Sequence, residues 1–336
     1  MGMVTHGLSK SFDDHIAVDE VSLRISENAF CVVVGASGCG KSTLLRLIAG
    51  LETPDEGDIS LSGAPVVGPD VFVPPEERRV GVVFQSYALW PHLTVRENVA
   101  FPYEARGMRR RDALAKADEH LKLVSLEDFR DRKPEALSGG QRQRVALARS
   151  LAGDARTILM DEPLANLDPH LRAEMESELR AFHDRSGVTT LYITHDQREA
   201  MALADVMAVM DAGRILQFGP PEEVYNRPAT RKVAGFIGRG ALVTTSAMGG
   251  RAQISGQEVP VEGGAGDCVF LRPHNIAVRD EGAAARVETV RYRGGFWEAD
   301  ASVEGLTERV QLDLHRPVRV GETLRLTFTG GWVVPD

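Results

Sequence analysis

The chain has 336 residues, of which 43% are apolar and 26% charged, so we expect a soluble globular protein with two domains. Its formal net charge of −9 opposes strong non-specific attraction to DNA or to an anionic lipid surface. The three cysteines have no metal-binding spacing and fit a reducing cytoplasm, and no apolar run reaches the roughly 20 residues of a membrane-spanning helix.

Short apolar strands alternate with helical segments over residues 1–236. The strand candidates are FCVVV, VGVVF, TILM and TTLYIT, at residues 30–34, 80–84, 157–160 and 189–194. This alternation is typical of an α/β domain. Between about residues 86 and 155 the pattern is mostly helical, which predicts a helical subdomain inserted into the α/β core.

The composition changes after Gly240. Lysine is absent from there to the end, glycine is frequent, and short alternating stretches such as ERVQLDL follow one another. This pattern predicts a small all-β, OB-like barrel over residues 240–336. The barrel has 10 arginines against 13 acidic residues, so we expect no nucleic-acid partner.

The stretch GASGCGKS matches the phosphate-loop pattern G-x-x-x-x-G-K-[ST] in full, between a strand and a helix. Its backbone N–H groups can curl around a β-phosphate, Lys41 can reach the β- and γ-phosphates, and Ser42 can ligate Mg²⁺. Cys39 is interpreted as a tolerated loop position. The expected phosphate-binding residues are Gly35, Ala36, Ser37, Gly38, Cys39, Gly40, Lys41, Ser42 and Thr43.

Two adjacent carboxylates end the apolar strand of TILMDEP, residues 157–163. Because successive strand side chains point to opposite faces, Asp161 and Glu162 can have different targets. Asp161 suits the Mg²⁺ shell, and Glu162 suits orienting and deprotonating an attacking water. In the alternative interpretation both merely cap the strand in solvent, which a neighbouring phosphate loop disfavours.

A second anion-binding pattern lies in LSGGQRQRVALARS, residues 137–150. Ser138 fits an N-cap, and two glycines open a basic helix after it. A helix start of this kind presents unpaired N–H groups and a positive dipole end to an anion. The phosphate loop is far away in the sequence, so the spacing leaves open which phosphate this helix meets.

With two further stretches, VVFQSYALWPHLTVRENV and LYITHDQREAMALAD, the whole chain resembles the ATP-binding subunit of an ATP-binding cassette (ABC) transporter. LSGGQ is that family's signature motif, and ANLD, ending at Asp168, resembles the loop after the paired carboxylates. The resemblance implies a homodimer that sandwiches two MgATP, each signature segment binding ATP held by the other copy. It assigns Phe12 to adenine, Gln85 to Mg²⁺ and water, His195 to the γ-phosphate, and Ser138, Gly139, Gly140, Gln141 and Asp168 to the nucleotide site.

For two of these residues, Phe12 and His195, a purely structural role is the alternative interpretation. Phe12 can instead be a core aromatic near the first strand, and a histidine such as His195 is by itself more often a satisfied structural residue than a functional one.

The barrel resembles the C-terminal regulatory domain of importer ATPases of the maltose, polyamine, ferric-iron and sulfate type, with RPATRKVAGFIG and VFLRPHNIAV at its junction and first segment. That group implies two integral membrane permease subunits and an extracytoplasmic solute-binding protein as partners, and a peripheral location on the cytoplasmic face of the cell membrane. The expected apolar anchors for a permease helix are Tyr87, Leu89, Trp90 and Pro91. In the alternative interpretation, any one of them belongs to the core of the helical subdomain itself.

The transported solute is not legible in the sequence. The short barrel favours an inorganic ion such as ferric iron by analogy, with polyamine and sugar import as alternatives. A protein of a different class, a soluble cassette ATPase whose barrel binds nucleic acid or a regulator, also stays open. Copurification with integral membrane proteins or with nucleic acid discriminates between these classes.

Overall fold

The computed structural model describes residues 2–165, 167 and 169–335, and the side chains of all of these except residues 169–171. Within it the chain forms two compact units, Met1–Pro221 and Glu222–Asp336. Each unit is built around its own apolar core.

The first unit is the expected α/β domain. Its strands are β1 (Met3–Phe12), β2 (His15–Ile25), β3 (Phe30–Val34), β4 (Glu56–Leu61), β5 (Ala64–Gly68), β6 (Val71–Phe72), β7 (Val80–Val83), β8 (Thr157–Asp161), β9 (Thr189–Thr194), β10 (Val206–Asp211) and β11 (Arg214–Gly219). Its helices are α1 (Lys41–Ala49), α2 (Val95–Ala105), α3 (Arg110–Leu123), α4 (Gly139–Ala152), α5 (Pro169–Ser186) and α6 (Gln197–Leu203).

A largely parallel sheet places the candidate site. Its strand order is β11-β10-β3-β9-β8-β7, and among its described strands only β11, at one edge, runs antiparallel to its neighbour. Val34 lies opposite Thr194, and Asp161 lies opposite Ile193, so the carboxyl ends of β3, β8 and β9 meet at one edge. Ligands of open α/β sheets bind beyond that edge, where the phosphate loop, the paired carboxylates and His195 follow.

Helix α1 is held between this sheet and an antiparallel one of order β2-β1-β4-β5-β6. Leu44, Leu47 and Ile48 are fully buried in a core that also contains Leu8 from β1 and Val33 from β3. Burying a leucine or isoleucine side chain contributes about 1.5 to 3 kcal/mol. The helix that begins at Lys41 is therefore fixed to both sheets.

The helical subdomain expected between residues 86 and 155 is present as α2, α3 and α4, which pack on one another. Both α2 and α4 begin with a capping box, formed by Thr94 with Glu97 and by Ser138 with Gln141. Each box pairs backbone N–H groups that a helix start otherwise leaves without an acceptor.

The second unit contains the expected small barrel. Its elements are α7 (Pro221–Asn226), α8 (Arg231–Phe236), β12 (Ala241–Met248), β13 (Arg251–Ile254), β14 (Gln257–Pro260), β15 (Gly266–Leu271), β16 (Ile276–Arg279), β17 (Ala283–Tyr292), β18 (Trp297–Val303), β19 (Arg309–Leu314), β20 (Thr323–Phe328) and β21 (Trp332–Val333). Antiparallel sheets of order β14-β13-β12-β15-β21 and β16-β20-β17-β18-β19 share one core, with Val243 and Ile254 from the first and Val287 and Leu326 from the second.

The division between the two units falls after Pro221, so α8 and all of α7 except its first residue belong to the second unit. Arg272, just after β15, is 2% exposed, and its guanidinium donates to the carbonyl oxygens of Tyr225 (3.2 Å), Ile237 (2.6 Å) and Arg239 (2.9 Å). The guanidinium also lies over the ring of Tyr225, 3.7 Å from its centroid, and over that of Phe270 at 4.4 Å. This one side chain ties the helical segment to the barrel.

We predict that Arg272→Met destabilises the second unit by about 2 to 3 kcal/mol, because three carbonyl oxygens lose their donor inside the protein. Burial lowers the pKa of Arg272 to about 10, so the wild-type side chain stays protonated at neutral pH. Calorimetric unfolding of the full chain measures the effect as a lower midpoint for the transition of the second unit. Arg279→Met, which removes an exposed arginine from β16, is the control and should leave the transition unchanged.

Candidate nucleotide-binding site

The phosphate loop between β3 and α1 has no room for side chains at two of its glycines. A Cβ on Gly35 would lie 2.2 Å from the carbonyl oxygen of Met210, and one on Gly40 would lie 2.0 Å from that of Ala17. Gly40 also has φ 105°, a conformation that residues with a side chain rarely adopt. The loop is thus pressed against the backbone of the surrounding strands.

Lys41 is buried inside this loop, with 5% of its surface exposed. Its ammonium group donates to the carbonyl oxygens of Gly35 (2.8 Å) and Ala36 (2.9 Å). Among the described residues, the backbone N–H groups of Lys41, Ser42 and Thr43 have no acceptor. A buried cation beside free N–H groups at a helix start fits a phosphate.

Ser42 and Asp161 meet beside the loop, where the serine hydroxyl donates to the carboxylate at 3.0 Å. Burial raises the pKa of Asp161, although the hydrogen bond from Ser42 acts in the opposite direction. A hydroxyl and a carboxylate in contact are the oxygen ligands that Mg²⁺ prefers. These two residues therefore fit a magnesium ion.

Glu162 and His195 form a second pair, with 3.0 Å between the carboxylate and Nδ1 of the ring. Glu162 has φ 46°, a left-handed conformation that costs a residue with a side chain about 1 to 3 kcal/mol. Its N–H group donates to the carbonyl oxygen of Ile193 at 3.0 Å, which fixes this conformation against the end of β9. The Glu162 carboxylate consequently faces His195, the residue that follows β9.

A buried network holds the backbone on both sides of His195. Glu199 on α6 is 3% exposed and accepts hydrogen bonds from the hydroxyls of Tyr192 (2.7 Å) and Thr194 (2.6 Å). The Thr194 hydroxyl in turn accepts from the N–H group of Asp196 at 2.9 Å. Burial raises the pKa of Tyr192 well above its usual value, so this phenol stays a donor at neutral pH.

Arg172 on α5 links this network to the loop after Glu162. Its guanidinium donates to the carboxylate of Asp196 and to the carbonyl oxygen of Leu167, both at 3.2 Å. Sequence reasoning missed Arg172 and Glu199, although a glutamate on the apolar side of a helix that follows His195 was a usable signal. Asp168, assigned to the nucleotide, lies outside the described residues.

Gln85 is exposed in a turn in which the N–H group of Tyr87 donates to the carbonyl oxygen of Phe84 at 2.8 Å. Phe12 ends β1 with 43% of its surface exposed and is not a core residue. Tyr87 was wrongly chosen as an apolar anchor for a partner. It is 7% exposed, and its hydroxyl donates to the carbonyl oxygen of Pro163 at 3.4 Å.

The signature segment stands apart from the phosphate loop within one chain. No hydrogen bond of the described residues joins the two, and Ser138 with Gln141 caps the segment's own helix. A Cβ on Gly140 would lie 2.5 Å from the sulfur of Met175. Packing within the chain therefore leaves room for a side chain here only if Met175 shifts, a reason for glycine that the sequence did not reveal.

A strand, a phosphate loop with a buried lysine, a serine–aspartate contact and a glutamate–histidine pair define the P-loop nucleotide hydrolases. A family model described as ABC transporter matches residues 18–165, and one described as TOBE domain matches residues 269–334. Both domains lie where the two units do.

Three proteins of similar sequence are named as import ATP-binding proteins. The trehalose/maltose import ATP-binding protein MalK of Thermococcus litoralis is 48% identical over 68% of this chain and 62% of its own length. The sn-glycerol-3-phosphate import ATP-binding protein UgpC of Cupriavidus pinatubonensis is 42% identical over 92% of this chain and 90% of its own. The sulfate/thiosulfate import ATP-binding protein CysA of Synechococcus elongatus is 43% identical over 90% and 86%.

Among solved structures, the dimeric ATP-binding cassette MJ0796 bound to ADP and Pi superimposes with a TM-score of 0.56 and 31% identity, over 65% of this chain and 98% of that one. The chain belongs to the ATP-binding subunits of ABC transporters, in the group of import ATPases with a C-terminal barrel. It is an ATPase of that family, as expected. In the described part of the chain, no helix is long and apolar enough to span a membrane.

We predict that Asp161→Asn raises the thermal midpoint of unfolding in the absence of Mg²⁺ and nucleotide. Burial disfavours the ionised form of the Asp161 carboxyl group, and asparagine carries no charge there. With MgATP the order should reverse, since the wild type gains stability from the ligand and the variant loses a metal ligand. Differential scanning fluorimetry with and without MgATP measures both effects. Glu162→Gln is the matched control, because it removes the adjacent charge and should keep the stabilisation by MgATP.

Proposed function

We propose that this chain binds MgATP at the phosphate loop and hydrolyses it as the motor of an ABC importer. The observation that carries the proposal is the pair of contacts at one sheet edge, Ser42 with Asp161 and Glu162 with His195. The contact of Ser42 with Asp161 provides a place for the metal, and that of Glu162 with His195 provides a place for the attacking water. Phe12, exposed at the end of β1, is proposed to stack on adenine.

Lys41 is proposed to bind the β- and γ-phosphates, exchanging the neutral carbonyl oxygens of Gly35 and Ala36 for charged ones. Ser42 and Asp161 hold Mg²⁺, which when bound neutralises charge on the phosphates. The remaining residues named in the loop supply N–H groups. Gln85 contacts Mg²⁺ and the attacking water from its exposed turn.

Glu162 acts as the general base. It accepts a proton from water as the water oxygen bonds to the γ-phosphorus and the bond to the ADP oxygen breaks. His195 holds the carboxylate through Nδ1 and contacts the γ-phosphate. The network of Glu199 and Arg172 fixes the two residues beside this histidine.

Two copies are proposed to act together. Ser138, Gly139, Gly140, Gln141 and Asp168 of one copy bind the ATP held by the other, because in the described part of the chain no hydrogen bond joins the signature helix to its own phosphate loop. The dimeric state of the MJ0796 structure supports this arrangement. Closure of such a dimer on ATP and its release after hydrolysis supply the motion.

That motion is proposed to drive two membrane permease subunits, with this chain peripheral on the cytoplasmic face and a solute-binding protein outside. The three relatives are named for a disaccharide, a phosphate ester and an oxyanion at 48%, 42% and 43% identity. This spread supports a motor common to many solutes, whose selection resides in the partners. Import of ferric iron, like that of polyamines or sugars, stays a prediction.

We predict that Glu162→Gln still binds MgATP but hydrolyses it about 10²-fold more slowly, because the general base is lost while the shape is kept. The dimer should then persist, eluting as the larger species in size-exclusion chromatography with MgATP and as the smaller one with ADP.

Glu174→Gln, which removes an exposed carboxylate from α5, is the control for loss of charge and should behave as the wild type. Unaltered turnover in Glu162→Gln would remove this residue from the mechanism. If the wild-type chain neither bound nor hydrolysed ATP, the proposed function itself would be wrong.

We further predict complementation between two inactive variants. In a mixture of Ser138→Arg and Lys41→Ala chains, each heterodimer has one intact site, formed by the lysine of the first chain and the serine of the second. Random pairing then restores at most about a quarter of wild-type sites. Steady-state hydrolysis of the mixture, compared with each variant alone, measures this, and no gain on mixing would favour sites within single chains.

A further inference from the structure

A buried arginine of the signature helix holds the segment that follows Gln85. Arg149, in the last turn of α4, is 9% exposed. Its guanidinium donates to the carbonyl oxygen of Ala88 at 2.6 Å and to that of Tyr87 at 3.0 Å. It also lies over the ring of Trp90, 4.9 Å from the centroid.

These acceptors belong to a strained stretch of backbone. Tyr87 has φ 60° and Ala88 has φ 44°, two consecutive left-handed residues that each have a side chain. Such conformations are unfavourable for residues with a side chain and persist only where the surroundings enforce them. The bidentate hydrogen bond from a buried cation is an interaction that can enforce this pair, since hydrogen bonds to charged groups are the strong ones.

The far side of the same segment is fixed separately. Asn98 on α2 is fully buried, and its side-chain amide accepts from the N–H group of Trp90 at 2.9 Å and donates to its carbonyl oxygen at 3.1 Å. The ring of Trp90 packs against Phe101 with 4.2 Å between centroids. With one end anchored to α2, the hold of Arg149 decides the conformation of the end that is close to Gln85.

Two contacts extend this hold to the site. The N–H group of Tyr87 closes the turn that carries Gln85, by donating to Phe84 at 2.8 Å. The Tyr87 hydroxyl reaches the carbonyl oxygen of Pro163 at 3.4 Å, directly after Glu162. Tyr87, whose carbonyl oxygen accepts from Arg149, thus contacts both the segment of Gln85 and the segment of the general base.

We infer that Arg149 is a positioning residue for hydrolysis, which sets the place of Gln85 and of the Glu162 loop according to the orientation of the signature helix. The inference rests on the proposed function, since it gives the two residues their roles there. Movement of α4 displaces the guanidinium and with it Tyr87, so a signature helix seated on ATP and a correctly placed Gln85 occur together. ATP affinity, which depends on the phosphate loop, is separate from this effect.

The test uses Arg149→Met, which keeps the length and removes the donors, and Arg149→Lys, which keeps the charge and part of the donor set. We expect kcat for MgATP to fall about tenfold in Arg149→Met, with KM and the Kd of ATP within about twofold of wild type. Arg149→Lys should recover part of the loss. Tyr87→Phe, a mild change that removes only the contact with Pro163, should lower kcat in the same direction and carries the test if Arg149→Met does not fold.

The matched control is Arg144→Met on the same helix, whose guanidinium also donates to a carbonyl oxygen, that of Val124 at 3.2 Å, away from Gln85. It should leave kcat unchanged. A double-mutant cycle gives the sharpest readout, because Arg149→Met should cost less once Gln85 is alanine, the remaining cost passing through Tyr87 and Pro163. Additive losses in that cycle, unchanged kcat in Arg149→Met, or equal losses in Arg144→Met would each overturn the inference while leaving ATP hydrolysis by the wild type intact.

Discussion

The buried ammonium group of Lys41 is the constraint around which the candidate site is arranged. Lys41 lies at the start of α1, beyond the central strand β3, and its ammonium group donates to the neutral carbonyl oxygens of Gly35 and Ala36. A cation removed from water is poorly compensated by neutral dipoles alone, so it favours any anion that can replace them. Because α1 is fixed between two sheets, this preference is built into the core of the domain.

The residues of each contiguous motif could be predicted from the sequence, because the spacing within a motif determines its local geometry. GASGCGKS opens α1, and TILMDEP ends β8 with its carboxylates at the sheet edge. Contacts between distant segments could not be predicted in this way. Arg172, the packing of Gly140 on Met175 and the union of α7 and α8 with the barrel through Arg272 all depend on the folded chain. Tyr87 was misplaced for the same reason, since a turn rich in apolar residues does not reveal which of them points inward.

Backbone strain is present at three residues where the chain changes direction around the site. Glu162, Tyr87 and Ala88 all have positive φ without being glycine, and each is held by a hydrogen bond from or to a separate element. Strain that is held by neighbours is released when those neighbours move. Tyr87 and Glu162 are thus each held in a strained conformation by a residue outside their own segment.

The capping box at the start of α4 has a consequence for the choice of residue at position 138. The Ser138 hydroxyl accepts the N–H group of Gln141 through a lone pair, which leaves its own hydrogen available. Aspartate caps a helix about as well, but its carboxylate has no hydrogen to give and would repel a phosphate. A hydroxyl can thus cap the start of a helix and donate to an anion at the same time. The signature helix therefore keeps its first turn intact when Ser138 donates to a phosphate.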